Sequence, residues 1–522
     1  MPTPHMPRPS GLPPTPLAKL AELLGERLDS GAAADYSADA TVTGVAQASS
    51  SVLPGDLYVA LPGARTHGAG FGADAAVRGA AAVLTDPAGA RLLAGDGVEL
   101  PALVVRDPRQ VVGAVAAAVY HRPSSKLRVV GITGTNGKTT TAHLVDAILT
   151  GLGETTALLG TVHTRIGEQL LPSTRTTPEA AELQALLAVA AERGVDVVTM
   201  EVSSHALAMD RVEGTRFAVG AFTNLSVDHL DFHANLEEYF AAKARLFDGR
   251  VEHELVTIDD EAGRRLVKPG TVTVSIDGAA PIDGAVSAAW RASEIRRDGY
   301  GQRFRLHAPD GSSGEACVAL PGRFNVSNGL LAVAAVVTLG APLPDAIAQL
   351  SRVPGVPGRM ERVGAAGEHP IELPITAVVD YAHTPDGVTK ALAALRGTTT
   401  GRLICVLGCG GDRDVGKRPL IGAAAASGAD LFIATDDNPR SEAPSAIRAA
   451  MLSGARAAPG APDVVEIADR AGAIEYAVRA AAPGDTVAVL GKGHEQGQET
   501  AGVKTPFDDR KVVAQALLRV YG

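Results

Sequence analysis

Between residues 127 and 149 an apolar run, a glycine-rich loop and a helical pattern follow one another. The run LRVVGIT is typical of a buried strand, GTNGKTT follows it, and TAHLVDAIL has the spacing of a helix. Glycines let backbone N–H groups close around phosphate oxygens, and a lysine adds positive charge at the helix N-terminus. The usual pattern, GxxxxGK followed by Ser or Thr, would place a glycine at Ile132, so the match is incomplete. The order of elements still predicts a nucleoside triphosphate site in a parallel α/β sheet, rather than a glycine-rich turn with a surface lysine.

The composition indicates a globular protein of several domains. The chain has 522 residues, of which 46% are hydrophobic and 20% charged, and this excludes a largely disordered chain. Its net charge of -10 argues against a broad surface for nucleic acid or anionic membrane. Three cysteines, Cys317, Cys405 and Cys409, fit a reducing compartment without disulfides and argue against a zinc site. Because no apolar run is long enough to span a membrane, we expect a cytoplasmic protein without membrane insertion.

The alternation of apolar strands with helical stretches predicts an α/β fold of three domains. Seven prolines within residues 1–16 predict a disordered tail. We assign residues 17–124 to an N-terminal α/β domain, 125–356 to a central phosphate-loop domain built on a parallel sheet, and 357–522 to a doubly wound, Rossmann-like domain. Within the central domain, residues 271–320 predict antiparallel strands.

Lys243 lies on the apolar face of a predicted helix. The helix is NLEEYFAAKARLF, and the apolar residues on that face are Leu236, Tyr239, Phe240, Leu246 and Phe247. A free ammonium at such a position is costly unless it is paired. Two interpretations are open. Either the nitrogen reaches water along a packed stem, or burial lowers the pKa of the amine enough to make it chemically useful.

Polar residues also end two strands that neighbour the phosphate loop in the predicted sheet. Glu201 follows VDVVTM, and Asp228 and His229 follow FAVGAFTNL. Parallel sheets bind ligands at the carboxyl ends of their strands, so these side chains could hold a metal there. Taken singly, each could equally be a solvated strand end.

Further polar motifs follow predicted strands or begin helices in the second half of the chain. Each alone could be turn chemistry, but parallel strands would bring several of them to one edge of a sheet. They are FNVSN with Asn325 and Asn328, DYAHTPD with Asp380, His383 and Asp386, GCGGDRDVGKRP with Arg413, Lys417 and Arg418, DDNPR with Asp437, Asn438 and Arg440, and GKGHE with Lys492, His494 and Glu495.

Together these motifs resemble the Mur ligase family, the ATP-dependent amide-forming enzymes of peptidoglycan precursor synthesis. The resemblance covers about residues 41–510 in the family's domain order. It implies an enzyme that joins diaminopimelate to the D-Glu γ-carboxylate of UDP-N-acetylmuramoyl-L-alanyl-D-glutamate through an acyl phosphate. It also implies ATP and two magnesium ions as cofactors, and a monomer whose partners are these two substrates and no nucleic acid. The motifs that carry it are GTNGKTT, EVSSHAL, DHLDFH with AK, FNVSN, GRME, DYAHTPD, GCGGDRD, DNPR and GKGHE.

The resemblance implies roles in nucleotide binding and catalysis. Lys138, Glu201, His229 and Lys243 would be catalytic, and Lys243 would be carboxylated, which turns a misplaced cation into an anion that can ligate or orient a metal. Magnesium would be held by Thr139, Glu201 and His229. Adenine and ribose would be framed by Asn325, Asn328, Arg359 and Asp380. The ATP phosphates would be held by Gly134, Thr135, Asn136, Gly137, Lys138, Thr139 and Thr140.

Substrate contacts are implied in the same way. Thr176, Thr177, Ser203 and Arg211 would hold the muramyl dipeptide, and Ser49 with the Ala64–Thr66 turn would hold the uridine. Two positions depart from the family, because its Asp-Ser-Arg in the uridine region reads Ala48, Ser49 and Ser50 here, and a substrate-binding Gln falls at Met209. The incoming diamino acid would be held by Arg413, Asp437, Asn438, Pro439, Arg440, Gly491 and Glu495.

Two other functions share part of this pattern. A folylpolyglutamate-synthetase-like ligase would have the phosphate loop but would lack both DNPR and the uridine domain. A nucleotide-regulated switch would carry a second nucleotide-specificity motif, which the sequence does not show. The sequence therefore favours the diaminopimelate-adding ligase.

Overall fold

The structure is a computed structural model that describes residues 6–28, 40–63, 65–171, 175–276, 288–364, 372–460 and 463–522. Residues 1–5 of the predicted tail and Ala64 of the predicted uridine turn lie outside the described residues. No helix in the described ranges is long and apolar enough to cross a membrane. The chain divides into two compact units, the first with Met1–Thr133, Leu149–Ala221 and Ala241–Leu255, the second with Gly134–Ile148, Phe222–Phe240 and Val256–Gly522.

The N-terminal region is a parallel four-stranded sheet with a hydrophobic cluster on each face. Its elements are β1 (Thr15–Pro16), α1 (Leu17–Leu24), β2 (Thr41–Val42), β3 (Gly44–Ala46), β4 (Asp56–Val59), α2 (Gly72–Val77), β5 (Ala82–Thr85), α3 (Pro87–Gly95), β6 (Ala102–Val104) and α4 (Arg109–Val119). The strand order is β3-β4-β5-β6. Side chains alternate across β4, so Leu57 and Val59 join one cluster with Val112 and Val115 of α4, and Tyr58 joins the other.

Part of the proline-rich N-terminal segment is ordered. The Arg8 guanidinium donates to both carboxylate oxygens of Asp56, at 3.2 and 3.0 Å, and to the hydroxyl of Tyr120 at 2.6 Å. Thr15 and Pro16 pair with strand β2 in antiparallel register. Residues 6–16, for which the composition predicts disorder, make these contacts because proline is tolerated at a sheet edge and Arg8 meets a buried carboxylate.

The central region supplies strands to both units. Its elements are β7 (Arg128–Thr133), α5 (Lys138–Gly151), β8 (Thr156–Leu159), β9 (Thr164–Ile166), β10 (Gln169–Leu171), α6 (Ala180–Glu192), β11 (Val197–Glu201), α7 (Ser204–Ala208), β12 (Phe217–Phe222), α8 (Leu236–Ala244), β13 (Val251–Thr257), α9 (Glu261–Leu266), β14 (Val272–Ser275), β15 (Trp290–Asp298), β16 (Gly301–His307), β17 (Ser313–Val318), α10 (Arg323–Thr338) and α11 (Leu343–Leu350). In the first unit the order is β10-β9-β8-β11-β7-β12-β13, with β7, β8 and β11 parallel. In the second unit β15, β16 and β17 are antiparallel, as predicted, whereas β14 pairs with β15 in parallel.

The C-terminal region is a doubly wound α/β sheet. Its elements are β18 (Glu361–Arg362), β19 (Thr376–Asp380), α12 (Pro385–Arg396), β20 (Leu403–Leu407), α13 (Lys417–Gly428), β21 (Leu431–Ala434), α14 (Pro444–Ala457), β22 (Asp463–Glu466), α15 (Arg470–Ala480), β23 (Thr486–Leu490), β24 (Gly497–Thr500), β25 (Val503–Pro506) and α16 (Asp509–Tyr521). The strand order is β18-β19-β23-β20-β21-β22, parallel except for the edge strand β18. The doubly wound arrangement predicted for this region is confirmed, and it brings the carboxyl ends of β19, β20, β21 and β23 to one edge.

Helices α13 and α14 approach each other through two glycines. A Cβ atom at Gly422 would lie 1.9 Å from the carbonyl oxygen of Met451, and one at Gly454 would lie 1.8 Å from that of Pro419. These distances leave no room for a side chain. The two helices can therefore pack this closely only because both positions lack a Cβ atom.

We predict that Gly422→Ala destabilises the protein, although alanine usually favours a helix over glycine by about 1 kcal/mol. The added methyl group would force α13 away from α14, at a cost of about 1 to 3 kcal/mol, and lower the Tm in thermal unfolding. Gly95→Ala is the matched control, since a Cβ atom at this last residue of α3 meets nothing within 4 Å. An unchanged Tm in Gly422→Ala would contradict the close packing.

Candidate active site

The glycine-rich loop that follows β7 has a conformation suited to binding phosphate. Gly134 and Gly137 have φ angles of 144° and 88°, which residues with a side chain rarely adopt. The Lys138 ammonium folds back over the loop and donates to the carbonyl oxygens of Gly134 (2.8 Å) and Thr135 (2.9 Å). Helix α5 begins at Lys138. An ammonium and a helix N-terminus therefore lie together, and this combination attracts a polyphosphate.

The segment after β12 holds this loop in place. Asn224 accepts hydrogen bonds from the backbone N–H of Thr135 at its carbonyl oxygen (2.8 Å) and from that of Asn136 at its Oδ1 (3.0 Å). The Thr223 hydroxyl and the Asn224 amide both donate to the carbonyl oxygen of Asn136, at 2.6 and 3.0 Å. The sequence analysis missed Thr223 and Asn224, although a polar TNLS run after an apolar strand was a usable signal.

A pocket of about 840 Å³ in the second unit is lined by the same segment. Asn224 lines it, together with the ring of Phe324 and the polar side chains of Asp259, Asp386 and Lys390. Both its volume and its mixture of apolar and polar lining suit a nucleoside. Because Asn224 also binds the glycine-rich loop, the pocket lies next to the phosphate-binding groups.

Asn325 and Asn328 are buried on helix α10 and bonded to each other. Asn328 Nδ2 donates to Asn325 Oδ1 at 3.1 Å, and Asn325 Nδ2 donates to the carbonyl oxygen of Pro321 at 2.8 Å. Asn328 lines the pocket and lies against the loop, since a Cβ atom at Gly137 would be 2.5 Å from its Oδ1. Asn325 is outside the lining and orients Asn328 instead.

Arg359 connects the start of the C-terminal region to the phosphate loop. Its Nη2 donates to the hydroxyl of Thr139 at 3.0 Å, and its guanidinium lies 4.5 Å from the centre of the Tyr381 ring. Its Nη1 is 3.2 Å from Nδ1 of His494. Burial and the charge of Arg359 lower the pKa of His494 to about 3, so this ring is neutral at pH 7 and can accept that hydrogen bond. Thr139 and its neighbour Thr140 are both buried.

The carboxylate of Asp380 binds the backbone next to Arg359. Its carboxylate accepts hydrogen bonds from the backbone N–H of Met360 (2.7 Å) and of Ala382 (2.8 Å). Burial raises the pKa of Asp380, and the charge of Arg359 opposes that effect. Asp380 is not among the residues that line the 840 Å³ pocket. In this structure its two hydrogen bonds orient Met360 and Ala382.

Asp228 is a buried carboxylate surrounded by cationic or polar nitrogens. Its oxygens lie 3.4 Å from Nε2 of His229, 3.7 Å from Nε2 of His383 and 3.6 Å from Nζ of Lys417. Burial would raise the pKa of Asp228, but the hydrogen bond and charge of His383, with the charges of His229 and Lys417, lower it far below its usual range. His229 keeps 37% of its side chain exposed.

In the first unit, Glu201 and three predicted substrate residues lie together at the end of β11. Thr161 donates to Glu201 from its backbone N–H (2.7 Å) and its hydroxyl (3.1 Å). The Thr177 hydroxyl donates to the carbonyl oxygen of Glu201 at 2.9 Å and accepts from the N–H of Ser203 at 3.0 Å. The hydroxyl oxygens of Thr176 and Thr161 lie 3.1 Å apart. Glu201 is therefore a buried, oriented carboxylate and not a solvated strand end, and Thr161 is a residue that the sequence analysis missed.

Arg211 and Ser49 belong to the same unit. Arg211 forms an ion pair with Glu179 at 2.9 Å. Ser49 begins a short 3-10 turn, Ser49–Ser51, and its hydroxyl bonds Asp74, which lowers the pKa of that carboxylate together with Arg78. The backbone N–H of Ala181, in the first turn of α6, donates to the side chain of Gln47 at 3.0 Å. This bond holds the loop of Ser49 against the start of α6. Helix α6 begins a few residues after Thr176 and Thr177 in the sequence.

Lys243, near the end of α8, is almost completely buried. Only 1% of the residue is exposed, and Tyr239, Phe240, Leu246 and Phe247 are buried as predicted, whereas Leu236 is 41% exposed. The interpretation that the ammonium reaches water is therefore wrong, because the side chain is enclosed along its whole length. A lysine enclosed in this way fits a chemical role better than a solvated surface position.

A buried polar cluster follows strands β21 and β23 in the second unit. Lys492 has no exposed side-chain surface, and its ammonium donates to Asn438 Oδ1 (3.0 Å) and Glu495 Oε2 (2.9 Å). Asn438 Nδ2 also donates to Glu495 Oε2, at 2.8 Å. Burial would raise the pKa of Glu495, but the charge and hydrogen bond of Lys492 outweigh it and lower that pKa. Burial raises the pKa of Asp437, whose Oδ1 lies 3.9 Å from the same ammonium.

Two arginines border this cluster. Arg440 has a φ of 54°, and its Nη1 donates to the carbonyl oxygen of Gly411 at 2.6 Å. Arg440 and Arg413 both lie beside Gly410, where a Cβ atom would be 2.9 Å from Nη1 of Arg440 and 3.9 Å from Cγ of Arg413. Close approach also fixes the neighbouring loops. A Cβ atom at Gly411 would be 1.9 Å from the Pro439 carbonyl oxygen, and one at Gly491 would be 2.9 Å from Asp437 Oδ2.

The residues near the phosphate loop suit magnesium held mainly by a nucleotide. The described part of the chain has no group of three or more His, Cys, Asp or Glu side chains that could hold a metal by itself. Magnesium in nucleotide sites usually takes only one or two protein ligands and completes its shell with phosphates and water. The Thr139 hydroxyl and the half-exposed His229 are compatible with that arrangement.

Family models match three successive stretches of the chain. The model described as Mur ligase family, catalytic domain, matches residues 41–120. The Mur ligase middle domain matches residues 132–336, and the Mur ligase, glutamate ligase domain matches residues 358–493. Together they cover most of the chain in the order of its predicted domains.

Several similar proteins carry the same name. UDP-N-acetylmuramoyl-L-alanyl-D-glutamate--2,6-diaminopimelate ligase of Streptomyces coelicolor is 50% identical over 522 residues, 99% of each chain. The protein of that name from Corynebacterium glutamicum is 45% identical over 90% of each chain. A solved structure under the same name is 31% identical, with a TM-score of 0.62 over 93% of this chain and 96% of the other. The chain is therefore a ligase and belongs to the Mur ligase family.

Proposed function

We propose that this protein joins diaminopimelate to the D-Glu γ-carboxylate of UDP-N-acetylmuramoyl-L-alanyl-D-glutamate, at the expense of ATP, in the cytoplasm where both nucleotides are available. The observation that carries the proposal is that one unit contains both a phosphate loop with its nucleoside pocket and a buried, charged cluster with two bordering arginines. A protein that only binds and hydrolyses a nucleotide as a switch does not need this charged cluster. The name shared by the similar proteins supports the same choice.

The reaction needs ATP because a carboxylate is a poor acyl donor. Transfer of the γ-phosphoryl group of ATP to the D-Glu carboxylate gives an acyl phosphate and ADP. The amine of diaminopimelate then attacks the acyl carbon, loses a proton and forms the amide as phosphate leaves. Lys138 lowers the repulsion between the phosphates and the attacking anion, and Arg359 adds a second cation beside Thr139. Gly134, Thr135, Asn136, Gly137 and Thr140 complete the phosphate site.

Magnesium would supply further neutralisation of the phosphates when bound. Thr139 and His229 would hold it in the second unit. Glu201 in the first unit is proposed for the same role on the family resemblance, as is a carboxylated Lys243. Two ions are proposed on the same basis. Asn328 would contact the nucleoside directly, with Asn325 bonded to it, while Asp380 would orient the backbone next to Arg359.

The first unit would hold the UDP-linked substrate. Thr176, Thr177, Ser203 and Arg211 would contact the muramyl dipeptide, and Ser49 the uridine. Arg211 is already paired with Glu179, so an incoming carboxylate would have to share it. Ala48, Ser50 and Met209 depart from the family pattern and are given no substrate contact.

The charged cluster of the second unit would hold diaminopimelate. Arg440 and Arg413 offer guanidinium groups to the distal carboxylate, and Glu495 and Asp437 offer carboxylates to an ammonium. Asn438, Pro439 and Gly491 would shape the pocket between them. Lysine has the distal amine but lacks the distal carboxylate, so the arginines are the groups that distinguish the two amino acids.

We predict that phosphate release requires ATP, the UDP-dipeptide and diaminopimelate together, because the γ-phosphoryl group has no acceptor without the dipeptide. A coupled assay of phosphate release, with each substrate omitted in turn, measures this. Lys138→Ala should remove nearly all activity. ATP hydrolysis that is indifferent to the UDP-dipeptide would instead favour a nucleotide switch.

A second prediction concerns Lys243. Lys243→Ala should nearly abolish activity, and added formate or acetate should restore part of it by replacing the missing carboxylate. Lys243→Arg should stay inactive, since a guanidinium does not form the carbamate. Lys511→Ala, which removes an exposed lysine of α16, is the control and should keep full activity. Full activity in Lys243→Arg would disprove the modification.

The third prediction concerns the choice of amino acid. L-Lysine should be used about 10- to 150-fold less efficiently in kcat/KM than diaminopimelate, which corresponds to the loss of about 1.5 to 3 kcal/mol from one charge-assisted contact. Arg440→Met should remove most of this preference, whereas Arg479→Met, at an exposed position on α15, should keep it. Comparable use of lysine by the unaltered protein would contradict the role of Arg440.

A further inference from the structure

Lys492 stands out because it is a fully buried cation that the proposed chemistry does not use. It follows β23 by two residues, and its side chain has no exposed surface. Its ammonium contacts three residues proposed to hold the amino acid, with distances of 3.0 Å to Asn438, 2.9 Å to Glu495 and 3.9 Å to Asp437. Burying an ammonium is costly, so its partners must be well arranged to compensate.

The contacts of Lys492 orient two side chains. Asn438 Oδ1 accepts from Lys492 and from the backbone N–H of Glu499 at 3.0 Å, which points Asn438 Nδ2 toward Glu495. Glu495 Oε2 accepts from both Lys492 and Asn438, while its side chain remains 31% exposed. One oxygen of Glu495 is thus occupied inside the protein, and the other is left for a ligand.

The local fold has a separate support. Arg470 forms two hydrogen bonds of 2.7 Å to Asp509, and both side chains are fully buried. Arg470 also donates to the carbonyl oxygen of Leu490, the last residue of β23, at 2.9 Å. This pair anchors the end of the strand to α16. Lys492 bonds side chains of the proposed amino-acid pocket, whereas Arg470 bonds the strand.

We propose that Lys492 is a positioning residue that sets specificity for a diamino dicarboxylic acid, an inference that rests on the proposed function. It holds Asn438 and Glu495 in one arrangement and offsets the charge of two neighbouring carboxylates. Without it, Glu495 and Asp437 would give the pocket one more uncompensated negative charge. Such a pocket disfavours a ligand with two carboxylates relative to one with a single carboxylate, such as lysine. A compact ammonium with three donors suits this position better than a planar guanidinium.

The test is steady-state kinetics on the full chain carrying Lys492→Met, with Lys492→Gln as a second variant that keeps a polar donor. The KM for diaminopimelate should rise by about 10- to 100-fold, the loss expected for a charge-assisted hydrogen bond. The KM values for ATP and the UDP-dipeptide should stay within about twofold, because their sites are not contacted by Lys492. The preference for diaminopimelate over L-lysine should fall in both variants, and less in Lys492→Gln.

Asp485→Asn is the matched control. Asp485 is buried just before β23, at the opposite end of the strand from Lys492, and accepts hydrogen bonds from Arg402 and Ala482. This variant should lower the Tm and leave all three KM values unchanged.

Two results would overturn the proposal. One is an unchanged KM for diaminopimelate in whichever Lys492 variant folds, and the other is an equal rise in all three KM values, which would show a purely structural role. Either result would leave the proposed function standing. If the unaltered protein did not consume diaminopimelate, both the proposed function and this inference would fail.

Discussion

The hydrogen bonds between the glycine-rich loop and the segment after β12 are the constraint on which the proposed nucleotide site depends. The loop's backbone groups at Thr135 and Asn136 are bonded to Asn224 and Thr223. One face of the loop is thereby fixed by the protein, and the start of α5 and Lys138 are left to meet an anion. Asn224 also lines the 840 Å³ pocket, so the loop and the pocket share one support.

A second constraint acts at the carboxyl edge of the C-terminal sheet, where charged groups are buried. Arg470, Asp509 and Lys492 are each fully buried. Arg470 and Asp509 pair with each other, and Lys492 donates hydrogen bonds to Asn438 and Glu495. Such groups stabilise a protein little compared with apolar packing. Removing one partner of a pair is costly because the other charge is left buried, so the pairs specify one arrangement. The parallel strands determine where these groups meet, and the buried pairs determine how they are oriented.

The sequence was sufficient for the fold class and for the family. Apolar runs bounded by glycine and polar residues indicated the strands of the C-terminal sheet, and the strand–loop–helix order located the phosphate loop. The family resemblance then related the polar motifs to one another. At the N-terminus seven prolines predict disorder, whereas Arg8 and β1 make contacts with the first domain. Long-range partners such as Asp56 cannot be deduced from local composition.

An α/β protein with a phosphate loop and charged strand ends can be recognised from the sequence, because these features depend on short-range spacing and backbone chemistry. Which polar residues line a pocket, and which bond other side chains, is seen in the folded chain and not in the sequence. Asn325 is bonded to Asn328 and Asp380 to the backbone of Met360, Lys243 is enclosed, and Lys492 joins Asn438 to Glu495, which lie 57 residues apart in the chain. The physical reason is that burial and hydrogen-bond partners depend on elements far apart in sequence, which become neighbours only when the strands align.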